Sequence, residues 1–251
     1  MFDVKPEIRV MNREQTQKVH NDALAILEKT GIMVDDPKAL ALFEKAIGKQ
    51  SKNHRIRIPE ELVQWAINAA PCETKIFDRL GNPCFTLNGD GTREAVFGIG
   101  VTNLHYQDPL KNDIQPFFRH HMAAATGLGN SLDNFDFIST PGVIQDISSE
   151  TADLYGVLEM MANTPKPLVI LISDWDSFNP ALDLCEHLVG DISTHPFLIP
   201  YVNPITPLTL NSETTMKMDA SIKRGLPLIF SNYGMSGATC PITPAGTLAL
   251  L

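Results

Sequence analysis

Four apolar runs at a regular spacing constrain the fold of this chain more than any other feature. Their centres lie near residues 137, 170, 199 and 228, and the runs cover residues 135–138, 168–172, 197–202 and 226–230. A spacing of about 30 residues is the length of one strand followed by a crossover helix. Because the runs are apolar throughout rather than alternating, they predict parallel strands that are covered on both faces.

Helical patterns separate these runs. They begin at Ser148 or Ser149, at Asn179 with Pro180 next to it, and at Asn211. No glycine-rich nucleotide-binding fingerprint accompanies them, so four successive strand and helix units favour half of a (β/α)8 barrel over a doubly wound sheet. We therefore expect an α/β fold in which residues 131–251 form the first half of a (β/α)8 TIM barrel, with about four units in sequential order.

The first half of the chain has a different pattern. Asn12 and Asp36 are suited to cap two helices that end at glycines, and a third helix follows Pro59. A fourth helix is expected from Pro116. Residues 55–58 alternate like a short strand before the third helix. Three further β-prone runs, 75–80, 84–87 and 94–97, are separated by asparagine and glycine residues typical of hairpin turns. Residues 1–130 are therefore predicted to form a helical and β-meander region.

Composition argues against several classes of partner. The chain has 20 basic and 29 acidic side chains and a net charge of −9, which opposes binding to nucleic acid or to anionic lipid. No apolar run approaches the roughly 18 residues of a membrane span. The four cysteines lack C-x-x-C spacing and the N-terminus lacks the apolar run of a signal peptide, so we expect a cytoplasmic protein.

Aromatic and polar residues follow the predicted strands. In a (β/α)8 barrel the residues after the carboxyl ends of the strands form the binding site. Here these segments carry Asp174, Trp175, Asn203, Tyr233 and Ser236. Aromatic faces beside a carboxylate suit a quaternary ammonium group. The alternative is that Trp175 and Tyr233 only cover the end of the barrel and that Asp174 caps a helix, and the residues alone leave both readings open.

Other candidate chemistry is missing from the pattern. No nucleophile and base pair stands out, so no catalytic residue is assigned. The histidines, among them His120, His121, His187 and His195, lack the spacing of metal ligands; we interpret them as surface or structural residues and predict no metal site. An aldolase would need a Schiff-base lysine at the end of a strand, and neither Lys166 nor Lys223 is placed there.

The last residues predict a strand, a turn of small residues and a helix start. The apolar run at 226–230 leads into a turn, and Thr243 then offers an N-cap hydroxyl before Pro244. Such corners collect binding sites in parallel α/β proteins. The helix is cut after about two turns, so we expect the chain to be the front part of a longer protein.

Several segments match a known family. They are residues 31–37, 57–63, 158–167 and 203–208, and above all Gly-Met-Ser-Gly-Ala-Thr-Cys-Pro-Ile-Thr-Pro-Ala-Gly at 234–246. On these segments the chain resembles the trimethylamine methyltransferase family, the corrinoid-dependent methyltransferases of methylated-amine metabolism. Cys240 and Pro244 depart from the small or apolar residues that are commoner in the family at these positions.

The resemblance implies a fold and a reaction. Family members are complete (β/α)8 barrels of about twice this length, in which the pyrrolysine of true trimethylamine enzymes would lie beyond Leu251. Relatives without pyrrolysine use quaternary amines such as glycine betaine. The implied reaction moves a methyl group from a small tertiary or quaternary amine to the Co(I) of a corrinoid (cobalamin). A separate partner protein holds that corrinoid, and none is bound directly by the enzyme. Because Co(I) is itself the nucleophile, no enzyme nucleophile is needed.

The resemblance also defines a site. The methyl donor would lie over the carboxyl ends of the strands, with its ammonium group against Trp175 and Tyr233. Asp174, Asn203 and Ser236 would be polar neighbours, and the turn from Gly234 would offer backbone N–H groups to a carboxylate. The alternative is a truncated or degenerate relative that binds a ligand or partner without catalysis. Two open sheet edges would also make the chain self-associate into a homo-oligomer.

Overall fold

A computed structural model describes residues 9–88 and 95–251 of the chain. The chain divides into two compact units, which we call the smaller and the larger unit. The smaller unit comprises Met1–Ala70, Pro204–Ser212 and Asn232–Leu251, and the larger unit comprises Pro71–Asn203 and Glu213–Ser231. The division at residue 131 that the sequence predicts follows the change of secondary-structure pattern, and it stays a prediction.

Helices and strands alternate along most of the chain. The helices are α1 (Arg13–Lys29), α2 (Pro37–Ile47), α3 (Glu60–Ala69), α4 (Arg119–Ser131), α5 (Ser149–Asn163), α6 (Trp175–Val189), α7 (Ser212–Lys223) and α8 (Pro244–Leu250). The strands are β1 (Ile32–Val34), β2 (Arg55–Ile56), β3 (Glu73–Phe77), β4 (Pro83–Asn88), β5 (His105–Gln107), β6 (Ile114–Pro116), β7 (Ile138–Ser139), β8 (Leu168–Ile170), β9 (Leu198–Val202), β10 (Thr209–Leu210) and β11 (Ile229–Phe230). No helix in the described ranges is long and apolar enough to cross a membrane.

The helices of the smaller unit start at the capping residues that the sequence predicts. The Asn12 side chain accepts the N–H of Gln15, whose own side chain accepts the N–H of Asn12, so α1 starts at a complete capping box. Asp36 caps α2, which ends at Gly48 in the left-handed conformation with φ 71°. Helix α8 packs on α1, and a small sheet has the order β10–β1–β2. The predicted starts of the first three helices are confirmed, whereas β10 has no sequence signal that we recognised.

The larger unit is built on a four-stranded parallel sheet with the order β11–β9–β8–β7. The four strands of this sheet lie in the order in which they occur along the chain, although β10, which belongs to the other sheet, comes between β9 and β11. Ile138, Leu168 and Leu198 lie side by side in register. The α/β class and the sequential order of parallel strands are therefore confirmed. In the described part of the chain this sheet does not close into a barrel, so the half-barrel assignment stays a prediction.

Both faces of the parallel sheet are covered, as its apolar strands require. Leu168 and Ile170 point to one face and pack in the main core with residues of α4, α5 and α6. Val169 points to the other face and packs with Ile199 and with Ile76 of β3, which is completely buried. Burial on both faces explains why these strands read as continuous apolar runs.

The predicted meander is a pair of separate hairpins. Strands β3 and β4 form the expected hairpin around residues 81–82, but β5 and β6 form a second two-stranded sheet that the sequence analysis missed. The Asp108 carboxylate accepts the N–H groups of Leu110 and Lys111, which makes the turn between β5 and β6. Of the turn predicted at 88–91, Asn88 ends β4 and residues 89–91 lie outside the described residues. The part of the predicted strand that is described, 95–97, is not a strand.

Several predicted boundaries were wrong by a few residues. Helix α4 starts at Arg119 rather than Pro116, because Pro116 ends β6. Helix α6 starts at Trp175 rather than at Asn179, because Asp174 provides the cap; Pro180 therefore lies inside the helix, where it removes one backbone hydrogen bond. Strand β7 is shorter and later than residues 135–138.

Candidate functional site

Side chains from other elements anchor the main chain of the connection between β8 and α6 at residues 171–173. The Leu171 N–H donates to Oγ1 of Thr140 at 2.9 Å, and the Ser173 N–H donates to Oδ2 of Asp153 at 2.6 Å. The ammonium of Lys217 donates to the carbonyls of Ile172 and Ser173, both at 3.1 Å. This connection leaves the carboxyl end of a central parallel strand, which is where ligands bind in open α/β sheets.

Lys217 reaches this connection from the buried side of α7. The residue is only 7% exposed, and its third hydrogen bond goes to Oε2 of Glu213, one turn earlier in the helix, at 3.4 Å. An ammonium group has three N–H donors, and these three contacts use all of them. The lysine is therefore committed to the main chain and a carboxylate, and it does not supply the free amine of a Schiff-base enzyme.

Asp153 has an unusual electrostatic environment. Burial raises its pKa above the ordinary carboxyl value, and the nearby Asp174 carboxylate raises it further. The hydrogen bonds from Ser173 and the charge of Lys217 oppose that shift. Asp153 also lines a cavity of about 10 Å³, room for about one water molecule, together with Thr140, Gly142 and apolar side chains.

The three predicted site residues of the larger unit lie at strand ends, as expected, and each has a local structural role. Asp174 caps α6 by accepting the Ser177 N–H at 2.8 Å. Trp175 is partly buried against the core and stacks on Phe178, with ring centroids 6.3 Å apart and planes 17° apart. Asn203 donates from Nδ2 to the Ser231 carbonyl at 2.8 Å, which ties the end of β9 to the end of β11. Asp174 and Trp175 therefore have the structural roles that the sequence analysis gave as the alternative to ligand contact.

The other three predicted residues belong to the smaller unit. Tyr233 is 62% exposed, and its carbonyl accepts the hydroxyl of Thr206. A side chain on Gly234 would collide with the sulfur of Cys240, so this position requires glycine. The Ser236 hydroxyl donates to the carbonyl of Pro241 at 3.0 Å. The single site that the sequence predicts from all six residues stays a prediction.

The expectation that the turn after Gly234 binds a carboxylate through its backbone is corrected by the hydrogen bonds of that turn. Its backbone N–H groups were expected to hold a carboxylate. Those of Ala238, Thr239 and Cys240 all donate to the carbonyl of Met235, and that of Gly237 donates to the carbonyl of Cys240. Because the turn satisfies these donors internally, it does not offer them to a ligand.

The histidines are structural or exposed, in line with their interpretation from sequence. His121 is 3% exposed and accepts the Phe118 N–H at Nδ1, at 3.0 Å. His120, His187 and His195 are exposed. Within residues 9–88 and 95–251, no group of three or more His, Cys, Asp or Glu side chains is arranged to hold a metal ion.

Sequence reasoning missed Asp153 and Lys217. Both lie inside helices whose apolar spacing was read only as core packing. The spacing of Glu213 and Lys217, four residues apart on one helix, was a usable signal for a paired lysine. Nothing in the sequence showed that the pair would face the end of β8, because that depends on how α7 packs.

Comparison with known proteins decides the family. The model of the trimethylamine methyltransferase family matches residues 2–251, almost the entire chain. The chain belongs to the trimethylamine methyltransferase family. The resemblance that the motif at 234–246 indicates is thus confirmed.

Individual relatives of this family member are distant and longer. The trimethylamine methyltransferase of Desulfitobacterium hafniense (strain DSM 10664 / DCB-2) is 26% identical over 94% of this chain and 48% of its own length. That of Methanosarcina barkeri is 25% identical over 96% of this chain and 50% of its own length. A glycine betaine methyltransferase of Desulfitobacterium hafniense (strain Y51) is 24% identical over 100% of this chain and 52% of its own length. The chain spans about half the length of the curated relatives it matches.

Proposed function

We propose that this protein takes part in methyl transfer from a small methylated amine, with glycine betaine or trimethylamine as the donor and the Co(I) of a corrinoid on a separate protein as the acceptor. The observation that carries this proposal is the family match over residues 2–251. Relatives named for trimethylamine and for glycine betaine both align along nearly the whole chain, which supports a methylated amine as the substrate class.

The larger unit supports a positively charged donor. The carboxylates of Asp153 and Asp174 lie close to each other near the end of β8, where Glu213 pairs with the ammonium of Lys217 at 3.4 Å. The excess of negative charge favours a cation over an anion at this end of the sheet. Trp175, which directly follows Asp174, would add an aromatic face for a quaternary ammonium group.

The chemistry asked of these residues is modest. Glycine betaine is a quaternary ammonium, so it loses a methyl group and leaves as the tertiary amine dimethylglycine, and no proton has to be transferred to the leaving group. Trimethylamine would react as protonated trimethylammonium and leave as neutral dimethylamine. The protein's contribution is then to bind the amine and to aim one N–CH3 bond at the acceptor. No residue of this chain has to act as a nucleophile, which accords with the absence of a nucleophile and base pair in the sequence. Four free cysteines support a location in the reducing cytoplasm.

A titration with two tryptophan variants tests the donor site. Trp175→Leu keeps an apolar side chain but removes the aromatic face, so we expect glycine betaine to bind about two- to thirtyfold more weakly, the effect of losing one cation–π contact. The control is Trp65→Leu, which removes the other tryptophan of the chain, a residue 66% exposed on α3. Isothermal calorimetry measures both affinities. If Trp175→Leu binds as tightly as the parent, the aromatic assignment is wrong and Trp175 serves only packing.

The second candidate function is binding of the amine or of a partner without methyl transfer. A parent chain that binds glycine betaine in the calorimeter but leaves its methyl groups on nitrogen would support it. A chain that binds neither glycine betaine nor trimethylamine would contradict the proposed function as a whole.

A further inference from the structure

The main chain of the short connection from β8 to α6 is hydrogen-bonded to side chains of two other helices. Only residues 171–174 separate the two elements. Within them, both polar backbone groups of Ser173 are bonded to side chains, its N–H to Asp153 and its carbonyl to Lys217. Asp153 belongs to α5 and Lys217 to α7, so two different helices grip the main chain of one residue.

Burying the charged ammonium of Lys217 at this position costs free energy of desolvation. Burial of a charged amine is unfavourable unless hydrogen bonds compensate for the lost water, and a methionine would pack the same space without that cost. Here the compensation comes from the carbonyls of Ile172 and Ser173, together with Glu213. The lysine therefore fixes the path of this connection in a way that an apolar side chain would not.

We propose that Lys217 and Asp153 are positioning residues for the methyl donor, because they fix the main chain of Ser173 immediately before Asp174 and Trp175. This inference rests on the proposed function and names two residues that act on the donor through others. Asp174 then starts α6 in a defined orientation, and Trp175 follows at the first position of the helix. A displacement of this connection would move the aromatic ring and the Asp174 carboxylate together.

Lys217→Met tests the lysine directly. It keeps the apolar stem but leaves the carbonyls of Ile172 and Ser173 without their donor, so the connection should shift. We expect glycine betaine affinity to fall about tenfold, within the range for losing one cation–π contact, because the shift moves the aromatic ring away from the ammonium group. The matched control is Lys223→Met on the same helix, where the side chain is 70% exposed and pairs with Asp219.

Trp175 fluorescence supplies a readout that a general loss of stability would not change in the folded protein. In a Trp65→Phe background Trp175 is the only tryptophan of the chain. With folding verified by circular dichroism, Lys217→Met should shift the Trp175 emission and increase its quenching by acrylamide. Lys223→Met should leave both as in the parent.

Asp153 gives a second, independent pair of variants. Asp153→Leu removes the acceptor of the Ser173 N–H, and Asp153→Asn retains an oxygen acceptor of similar shape. We expect Asp153→Leu to reproduce the changes in quenching and affinity, and Asp153→Asn to restore most of the parent behaviour. If Lys217→Met does not fold, this pair decides the question.

The outcomes separate the two proposals. Folded Lys217→Met and Asp153→Leu proteins that keep the parent's quenching and glycine betaine affinity would overturn the positioning role. If the parent itself binds neither glycine betaine nor trimethylamine, the proposed function fails. Unchanged quenching in the same variants would then show separately that the two residues do not position Trp175.

Discussion

The ring of His121 is buried at the start of α4, where its Nδ1 accepts the N–H of Phe118. Burial lowers its pKa below the ordinary value of 6.5, and the neighbouring charge of His120 lowers it further, whereas Asp146 opposes the shift. Tyr106 stacks on the imidazole with ring centroids 4.0 Å apart. Because Nδ1 accepts the Phe118 N–H, this arrangement favours the neutral imidazole in the folded protein, in the same direction as the lowered pKa.

Stability should consequently fall in mild acid. The folded state binds fewer protons at His121 than the unfolded state does. The free energy of unfolding therefore rises with pH just below 6.5, and the stability that neutral His121 contributes is lost as the pH falls through that window. Urea unfolding between about pH 5 and pH 7.5 measures this slope. His121→Leu should flatten it, while the control His187→Leu, at an exposed histidine of α6, should retain it. Equal slopes in the parent and His121→Leu would contradict the assignment.

Among the elements, the hairpin of β3 and β4 covers one face of the parallel sheet. Ile76 is completely buried and packs with Val169 and Ile199. Two backbone bonds support this placement, from Phe77 to the carbonyl of Pro196 at 3.0 Å and from Arg79 to that of Pro165 at 2.8 Å. The hairpin is therefore an integral part of the larger unit's core.

Ile76→Ala should destabilise the protein by about 2 to 5 kcal/mol, the usual effect of truncating a buried isoleucine. The control Leu80→Ala changes a residue of the same hairpin turn that is 68% exposed, and it should stay within about 0.5 kcal/mol of the parent. Chemical denaturation followed by circular dichroism gives both values. Similar small effects of the two substitutions would mean that the hairpin does not pack on the sheet.

Elements with strong local signals were predictable from the sequence. Asn12, Asp36 and Thr243 cap helices as expected, because a cap is a contact between residues three apart and depends on nothing distant. The α6 start was missed because two caps competed: Asp174 lies one residue before the helix, whereas Asn179 with Pro180 resembles a start but lies within it. Strand β10 depends on its partner β1, far away in the sequence, and has no local signature.

The sequence could predict that the candidate site lies at the carboxyl ends of the strands, but it could identify only some of the residues found there. The carboxyl ends of the strands follow from the order of the elements, so Asp174 and Asn203 could be named from sequence alone. Asp153 and Lys217 reach the end of β8 from helices on either side, and their roles depend on helix rotation and packing. Periodicity identifies the buried face of a helix but not which strand end a buried polar residue will meet.

At the scale of the whole molecule, the two edges of the parallel sheet, at β7 and at β11, differ in whether another segment pairs with them. Beside β7, Asp136 donates its N–H to the Phe97 carbonyl at 2.7 Å, and Thr102 donates to the Thr140 carbonyl at 2.9 Å. The expectation of an open edge there was wrong, because the segment from 97 to 103 pairs along it. At the opposite edge, no strand in the described ranges pairs with the outer side of β11, whose Phe230 is 47% exposed.

The chain should therefore self-associate through the β11 edge. An unpaired strand edge with an exposed aromatic side chain favours pairing with another copy. Light scattering over a range of concentrations should show a mass above that of the 27.6 kDa chain. Phe230→Lys should reduce it, whereas Leu110→Lys, at a residue 94% exposed in the turn between β5 and β6, should not. A parent that remains a monodisperse monomer would contradict this prediction.

Methyl transfer is the central claim, and a labelled donor measures it most directly. The full chain is incubated with glycine betaine carrying 13C in its N-methyl groups and with cob(I)alamin, and NMR follows the label. The proposed function predicts a 13C methyl signal on cobalt and an equal amount of dimethylglycine, formed more slowly by Trp175→Leu. Label that stays on nitrogen, with both glycine betaine and trimethylamine as donors, would contradict it.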